Sequence, residues 1–312
     1  MFLVLPMAIV LAIGFARPAE GVPPFALSLD PASFLGLVAD DYYVAAFLLS
    51  LKVALVSSLA CLVIGYPMAL AIARAPERWR SLLLMLVILP FWTGFLLRIV
   101  AWIGLLKDEG WINAVLLRLG IIGAPLHLLY TDFAMYVGIA YCYLPFMVLP
   151  LYARLSKRDA ALEEAAADLG APPWRVFLTV VLPLSLPGVW AGFLLVFIPA
   201  MGEYVIPELL GGPGAETVGR VVWGEFFLNH DWPTASALAI SLLLVLLVPA
   251  AVWQWRQGRA AAIPPPTRHP PPPTLGPLFA AQARKGRGLS SPSPLAGEGR
   301  GEGSRASCVG SP

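Results

Sequence analysis

Residues 44–73 read VAAFLLSLKVALVSSLACLVIGYPMALAIA, a run of 30 residues in which Lys52 is the only charged side chain. A helix needs about 20 mostly apolar residues to cross a bilayer. The buried helices of a soluble protein are shorter and alternate with amphipathic ones. Residues 44–73 therefore predict a transmembrane helix.

Five further stretches share this apolar character. With 44–73 they predict an all-α, polytopic membrane protein of about six transmembrane helices, at 1–16, 44–73, 81–106, 133–155, 184–206 and 236–255. The composition agrees, since 58% of the 312 residues are hydrophobic and only 13% are charged. An ordinary soluble domain has roughly 25% charged residues, so the composition argues against a soluble enzyme.

The basic residues of the loops predict the orientation in the membrane. Segments 74–80, 154–183 and 256–259 together hold nine Lys and Arg residues, whereas the loops on the other side hold four. Because the side richer in Lys and Arg faces the cytoplasm, we expect both termini to be cytoplasmic. Residues 1–256 hold 14 basic and 17 acidic residues, so no nucleic-acid-binding surface is expected there.

Both ends of the chain differ from the central part. Residues 257–312 contain Pro runs and then Gly-, Ser- and Arg-rich sequence, which cannot bury enough surface to offset its ordering entropy. We predict a transmembrane domain over 1–256 and a disordered tail over 257–312, either without function or serving as a Pro-rich docking ligand. No basic residue precedes the first apolar segment, so we expect translation to begin upstream of Met1.

The segment 156–183 reads SKRDAALEEAAADLGAPPWRVFLTVVLP and differs from the apolar spans. Its first part, 159–169, is rich in Ala, Leu and Glu and predicts a short helix. Gly170 suits the left-handed position that ends a helix, and Pro172 and Pro173 suit the start of another. We therefore expect two short helices joined at Gly170, the second beginning over 174–180.

One face of the first short helix suits contact with another protein. The small side chains of Ala165, Ala166 and Ala167 permit close approach. Glu163, Glu164 and Asp168 offer carboxylates to a partner's Arg or Lys. A capped surface linker helix is the alternative interpretation of the same pattern.

The spacing of this segment resembles the cytoplasmic signature of ABC-importer permeases. Glu164-Ala165-Ala166 is followed by Gly170 four residues after Ala166, and then by Leu182-Pro183. In that family the loop is the coupling helix that lies in a cleft of the ATPase subunit. The resemblance thus implies these ATPase-coupling residues: Glu163, Glu164, Ala165, Ala166, Asp168, Gly170, Leu182 and Pro183.

The resemblance extends over 40–256. Segments 61–73, 82–110 and 198–214 resemble the polyamine branch, and 218–240 resembles the putrescine-system permease that pairs with a second, related permease. It implies an importer in the bacterial inner membrane with a periplasmic binding protein, two homologous permeases and two ATPase copies. This chain lacks the phosphate-binding pattern G-x-x-x-x-G-K-[ST], so ATP and Mg²⁺ are expected on the ATPase and no cofactor on this chain.

A polyamine is a flexible polycation, so its passage calls for carboxylates and aromatic faces that replace water. The candidate pathway residues are Glu203, Tyr204, Glu208, Trp92, Trp102 and Tyr141. A headgroup-level position or an ion pair is the alternative for Glu203, and interfacial belts or plain packing are the alternatives for the aromatic residues.

Two cations within predicted spans would repel such a cargo. We expect Lys52 to snorkel or to pair, and Arg98 to lie toward one leaflet with a carbonyl or carboxylate partner. Gly188 and Gly192 form a G-x-x-x-G pattern that permits close helix packing.

Other functions remain open at this stage. A permease of the same family for another small solute fits the same residues. A secondary transporter would call for internal repeats with broken helices, and no convincing repeat is found. An intramembrane enzyme would carry H-E-x-x-H or G-x-S-x-G, and both patterns are absent.

Overall fold

The computed structural model describes residues 4–19 and 21–261, with side chains described up to residue 247. The contacts reported below lie within one compact unit, Met1–Gln254. Residues 257–261 of the predicted tail 257–312 are helical rather than disordered. From residue 262 onward the tail lies outside the described residues, so its disorder there stays a prediction.

Helices dominate the described residues, and the all-α class is confirmed. In chain order they are α1 (Val4–Gly14), α2 (Ala32–Ala39), α3 (Asp41–Arg74), α4 (Glu77–Ile88), α5 (Phe95–Leu106), α6 (Trp111–Arg118), α7 (Asp132–Leu155), α8 (Ala160–Asp168), α9 (Pro173–Val176), α10 (Leu182–Met201), α11 (Val205–Leu210), α12 (Val218–Trp223) and α13 (Trp232–Ala261). A two-residue antiparallel pair, β1 (Arg17–Pro18) and β2 (Phe25–Ala26), follows α1. Nearby, Arg17 donates a hydrogen bond to Asp30 and holds the pKa of that carboxyl below its usual range.

The centre of the molecule is formed by α3, α7 and α10, which pack against one another. Each lies in a helix long and apolar enough to cross a bilayer, which confirms the predicted spans 44–73 and 133–155. Val53 of α3, Ile139 of α7 and Ala200 of α10 meet in one buried cluster. All three helices contain Pro, which membrane bundles tolerate where neighbouring groups satisfy the freed carbonyls.

The helices α7 and α10 approach closely at Gly188 and Gly192, as the sequence predicts. A Cβ atom on Gly192 would lie 2.8 Å from the Met147 sulfur and 3.0 Å from the Met147 carbonyl oxygen. A Cβ atom on Gly188 would lie 2.9 Å from Cγ of Arg154. Any larger side chain at either position would therefore separate the two helices.

The predicted span 81–106 is not one straight helix. The helical stretches Glu77–Trp92 and Phe95–Arg118 meet at an angle of 89°. Pro90 removes a backbone donor, the backbone of Thr93 is extended, and the Thr93 hydroxyl donates to the Pro90 carbonyl at 2.6 Å. The helix is broken here because the chain bonds locally instead of continuing its i→i−4 ladder.

The predicted span 184–206 begins earlier and ends earlier than expected. A continuous helical stretch of 29 residues runs over Pro173–Met201, with a π-turn at Phe177–Val181. Pro183 has no N–H to donate, and the ring of a Pro within a helix clashes with the carbonyl four residues back. The Leu182 N–H bonds to the Phe177 carbonyl five residues back. The predicted start of a second helix after Pro172 and Pro173 is confirmed, but this helix is not a short separate one, since it is the first part of the span.

The first predicted span is shorter in the described residues, whereas helix α13, Trp232–Ala261, contains the whole of the last one, 236–255. Helix α1 has 11 residues, a length of about 16 Å against the ~30 Å apolar thickness of a bilayer. Within α13, the apolar stretch with described side chains is Trp232–Leu247. By length and composition, the described residues contain three helices able to cross a bilayer, or four with the bent pair counted as one. The number of about six stays a prediction.

Candidate functional site

The first helix of loop 156–183 forms as predicted because its start is capped. A carboxylate oxygen of Asp159 accepts a hydrogen bond from the Ala161 N–H at 3.0 Å, and α8 follows directly. Asp at this position satisfies one of the donors that a helix start leaves unpaired.

The end of α8 is fixed by Gly170. Its φ of +81° is left-handed, a conformation that costs other L-residues about 1–2 kcal/mol. The Gly170 N–H bonds to the Ala167 carbonyl at 2.8 Å, and the Ala171 N–H bonds to the Ala166 carbonyl at 3.2 Å. This pair of bonds is a Schellman motif, so the predicted role of Gly170 as the helix terminator is confirmed.

The three acidic residues of α8 lie in two different environments. Glu163 is half-buried and forms ion pairs with Arg158 and Arg74 of the same chain. Glu164 and Asp168 are exposed and have no partner among the described residues. The structure therefore leaves Glu164 and Asp168, but not Glu163, free to meet a cation on another protein.

Large apolar side chains flank these exposed carboxylates. Leu162, Leu169 and Trp174 are all exposed, and the Arg175 guanidinium lies over the Trp174 ring at 5.4 Å. Sequence reasoning missed this apolar surface, although large apolar residues in a polar loop are a usable signal. Ala165 and Pro183 are also exposed, whereas Ala166 and Leu182 are half-buried.

Glu203 lies at the break between α10 and α11 rather than within a span. It is only 8% exposed, and its carboxylate accepts a hydrogen bond from the Tyr143 hydroxyl. It also accepts from the N–H groups of Val205 at 3.1 Å and Ile206 at 3.4 Å, which begin α11. In this state the carboxylate is a helix cap. Tyr143 was missed because it is 60 residues away in sequence.

Glu208 and Tyr204 contact α12. The Glu208 carboxylate pairs with the Arg220 guanidinium at 2.7 Å, and the Tyr204 ring stacks on Trp223 with centroids 5.2 Å apart. Glu208 is therefore ion-paired in this state, whereas the ion pair weighed as the alternative for Glu203 is not seen among the described residues.

The structure brings two of the four predicted pathway aromatics together. Trp102 and Tyr141 meet edge to face at 5.5 Å and line a cavity of about 320 Å³. We call this the Arg98 cavity, and its lining residues are Thr93, Leu97, Arg98, Ala101, Trp102, Leu105 and Tyr141. Trp92 does not line it and is 77% exposed at the bend between α4 and α5.

The two cations within predicted spans behave differently. Lys52 forms an ion pair with Asp132 at 3.2 Å. Of the two expectations for Lys52, snorkelling or pairing, the structure therefore shows pairing. Arg98 is only 7% exposed and lies over the rings of Phe91 and Phe95, at 4.7 and 5.6 Å. Its Nε and Nη1 atoms have no hydrogen-bond acceptor among the described residues. The predicted carbonyl or carboxylate partner of Arg98 is therefore wrong for the described chain, where aromatic faces take that place.

Apolar helices around a common centre, with an exposed helix–glycine–helix loop, define a multi-spanning membrane protein. Residues 62–253 match the family model of the binding-protein-dependent transport system inner membrane component. The chain belongs to this family of transport proteins.

The comparisons with individual proteins agree. The spermidine/putrescine transport system permease protein PotB of Escherichia coli K12 is 41% identical over 242 residues, covering 75% of this chain and 88% of that relative. A bacterial ABC transporter involved in alginate import has a TM-score of 0.60 at 20% identity, covering 83% of this chain and 90% of that one. A bacterial alginate ABC transporter in complex with an alginate-bound periplasmic protein has a TM-score of 0.58 at 19% identity, covering 80% and 85%. At such identities, the two structures show a shared fold.

Proposed function

We propose that this chain is a transmembrane subunit of an ATP-driven polyamine importer, with putrescine as the favoured cargo. The observation that carries the proposal is the 41% identity to a spermidine/putrescine permease over most of both chains. The resemblance of 218–240 to putrescine-system permeases favours putrescine. Fold alone does not choose a cargo, since the similar solved structures come from alginate transporters.

The cargo pathway is proposed to be built from carboxylates and aromatic faces. Glu203 and the aromatic pair Trp102–Tyr141 are its main candidates, since both lie next to the central helices. Three residues are secondary candidates. Glu208 is ion-paired with Arg220 and Tyr204 is stacked on Trp223 in this state. Trp92 lies outside the Arg98 cavity. This chain would supply half of the pathway.

Coupling to ATP hydrolysis is proposed to run through loop 156–183. Glu164 and Asp168 offer free carboxylates, and Leu169 and Trp174 offer apolar surface, so this face suits an ATPase cleft with basic and apolar residues. The Schellman end at Gly170 fixes α8 relative to the span that begins at Pro173. Movement of the ATPase would then bias the helices between two states.

The assembly proposed around this chain contains a periplasmic binding protein, a second homologous permease and two ATPase copies. ATP and Mg²⁺ would bind to the ATPase. The chain would lie in the lipid of the bacterial inner membrane with both termini cytoplasmic and the 156–183 loop on the same side, where the basic residues concentrate.

Uptake measurements test this function directly. A strain lacking polyamine importers is supplied with this chain and its cognate ATPase, second permease and binding protein, and labelled putrescine uptake is measured. We expect ATP-dependent uptake that unlabelled putrescine and spermidine inhibit. A Walker-motif variant of the ATPase is the control and should abolish it. If another class of solute, and not unlabelled putrescine or spermidine, inhibits the uptake of label, the cargo is that solute and the polyamine assignment is wrong.

A further inference from the structure

The neighbours Glu163 and Glu164 are chemically identical but differently placed. Glu164 is exposed and without a partner in the described chain, whereas the Glu163 side chain is only 21% exposed. Two adjacent residues of a helix point about 100° apart. One faces solvent, and the other faces the body of the protein.

Glu163 lies between two guanidinium groups from different elements. Its Oε1 atom is 2.9 Å from Nε of Arg158, in an ion pair without hydrogen-bond geometry. Its Oε2 atom accepts a hydrogen bond from Arg74 at 3.4 Å. Arg74 is the last residue of α3, and Arg158 lies in the short link between α7 and α8. We call these three residues the Glu163 triad.

The charges of the triad make Glu163 its central member. Arg158 is only 15% exposed, and a half-buried cation of this kind requires a nearby negative charge. Without Glu163, two arginines would remain close together with no carboxylate between them. The triad therefore links α8 to α3 by a charge arrangement that depends on Glu163.

The Glu163 triad joins α8 to one membrane span, and the backbone that follows α8 leads into another. Through Gly170 and Pro173 the chain passes from α8 into the Pro173–Met201 span. Through Glu163 and Arg74, α8 is joined to α3, which packs against both α7 and α10. A displacement of α8 would thus act on two of the three central helices.

We propose that Glu163 is a positioning residue that transmits the movement of α8 to α3, and that it does not contact the ATPase. The inference rests on the proposed coupling role of loop 156–183. It assigns opposite roles to two adjacent glutamates, one facing inward and one facing the partner.

The test uses the complete importer reconstituted in liposomes, with Glu163→Gln and Glu164→Gln as matched isosteric variants. Three quantities are measured: retention of the ATPase subunit, ATP hydrolysis, and putrescine transported per ATP. For Glu163→Gln we expect normal retention and hydrolysis but a loss of about fivefold in transport per ATP, a size typical of coupling residues. For Glu164→Gln we expect reduced retention of the ATPase.

Two further variants test the ion pair itself and not only the residue Glu163. Arg74→Gln removes the partner on α3 and should give the same loss of transport per ATP with normal ATPase retention. Glu163→Lys combined with Arg74→Glu restores an opposite-charge pair between α8 and α3 with the charges exchanged, and should recover part of the transport that Glu163→Lys alone loses.

The outcomes separate this inference from the proposed function. If Glu163→Gln loses the ATPase subunit, or transports as wild type does, Glu163 does not transmit movement and the inference is overturned. If the wild-type complex shows no ATP-dependent putrescine uptake, the proposed function fails before any variant is compared.

Discussion

At the scale of single residues, Gly170 combines an unusual backbone angle with free space around it. A Cβ atom placed there would meet nothing within 4 Å, yet φ is +81°. The requirement for glycine is therefore conformational rather than steric. This is why the sequence alone could predict it: the left-handed end of a helix is a local property of the chain.

The effect of substitutions at Gly170 on putrescine uptake should depend on how well the new residue adopts the left-handed conformation, and not on its size. Asn tolerates the left-handed region better than other non-glycine residues, whereas β-branched Val does not. We expect Gly170→Asn to keep most of the putrescine uptake, and Gly170→Val to lose most of it while still reaching the membrane. Uptake and membrane abundance of both variants are measured together. Equal uptake by the two would contradict a conformational requirement.

Glu203 combines a structural contact with a proposed role in the pathway, and two substitutions separate them. Glu203→Gln keeps an acceptor for the Val205 and Ile206 N–H groups but removes the charge, so we expect lower polyamine uptake at nearly unchanged membrane abundance. Tyr143→Phe is the control, since it removes the hydroxyl that donates to Glu203 and keeps the charge. It should retain more uptake than Glu203→Gln. Unaltered uptake and KM in Glu203→Gln would leave only the capping role.

Arg98 provides a test of whether its cavity lies on the cargo route. It lines the same cavity as Trp102 and Tyr141, and a fixed cation there repels a polycation. We expect Arg98→Gln to lower the KM for putrescine uptake, severalfold at low ionic strength. Arg78→Gln is a matched control, because Arg78 also lies over an aromatic ring but is exposed. An unchanged KM in Arg98→Gln would place the cavity away from the route.

At the scale of elements, the long apolar helices were predictable and their interruptions were not. The spans 44–73 and 133–155 match α3 and α7 within three residues at each end, because length and hydropathy are local signals. The bend at Pro90–Gly94 and the early end of α10 at Met201 depend on hydrogen bonds made by Thr93 and Glu203. Hydropathy is blind to such bonds, so these breaks were missed.

The packing of α10 on α7 should be sensitive to a single methyl group. Gly192→Ala would place Cβ 2.8 Å from the Met147 sulfur and 3.0 Å from a backbone oxygen, and overpacking of this kind costs about 1–3 kcal/mol. Gly104→Ala, in helix α5 with nothing within 4 Å, is the control. Thermal unfolding of the purified permease complex should show a lower midpoint for Gly192→Ala alone. Equal midpoints would mean that the helices move apart at little cost.

At the scale of the whole molecule, the partners of the candidate residues come from distant parts of the chain. Glu163 pairs with Arg74, 89 residues away, and Glu203 with Tyr143, 60 residues away. The sequence could nominate the acidic residues by their type and position. It could not say which of them are already paired, since that depends on how the helices pack.

The tail should be dispensable for transport. The Pro-, Gly- and Ser-rich composition of the tail does not favour an ordered structure, so truncation after Gly258, in the last turn of α13, should leave expression and putrescine uptake near the full-length level. The measurement compares uptake by the truncated and full-length chains at equal membrane abundance. A loss of more than half of the uptake would assign the tail a role.

The unbroken helical stretch Pro173–Met201 also constrains how this chain can change over evolutionary time. One residue inserted within a helix rotates everything beyond it by roughly 100°, so an insertion after Trp174 would turn the Gly188–Gly192 face away from α7. An insertion between Gly170 and Pro173 would only lengthen a short connection. Descendants of this sequence should therefore accumulate substitutions along this stretch far more readily than insertions or deletions, because the loop and the span share a single rotational register.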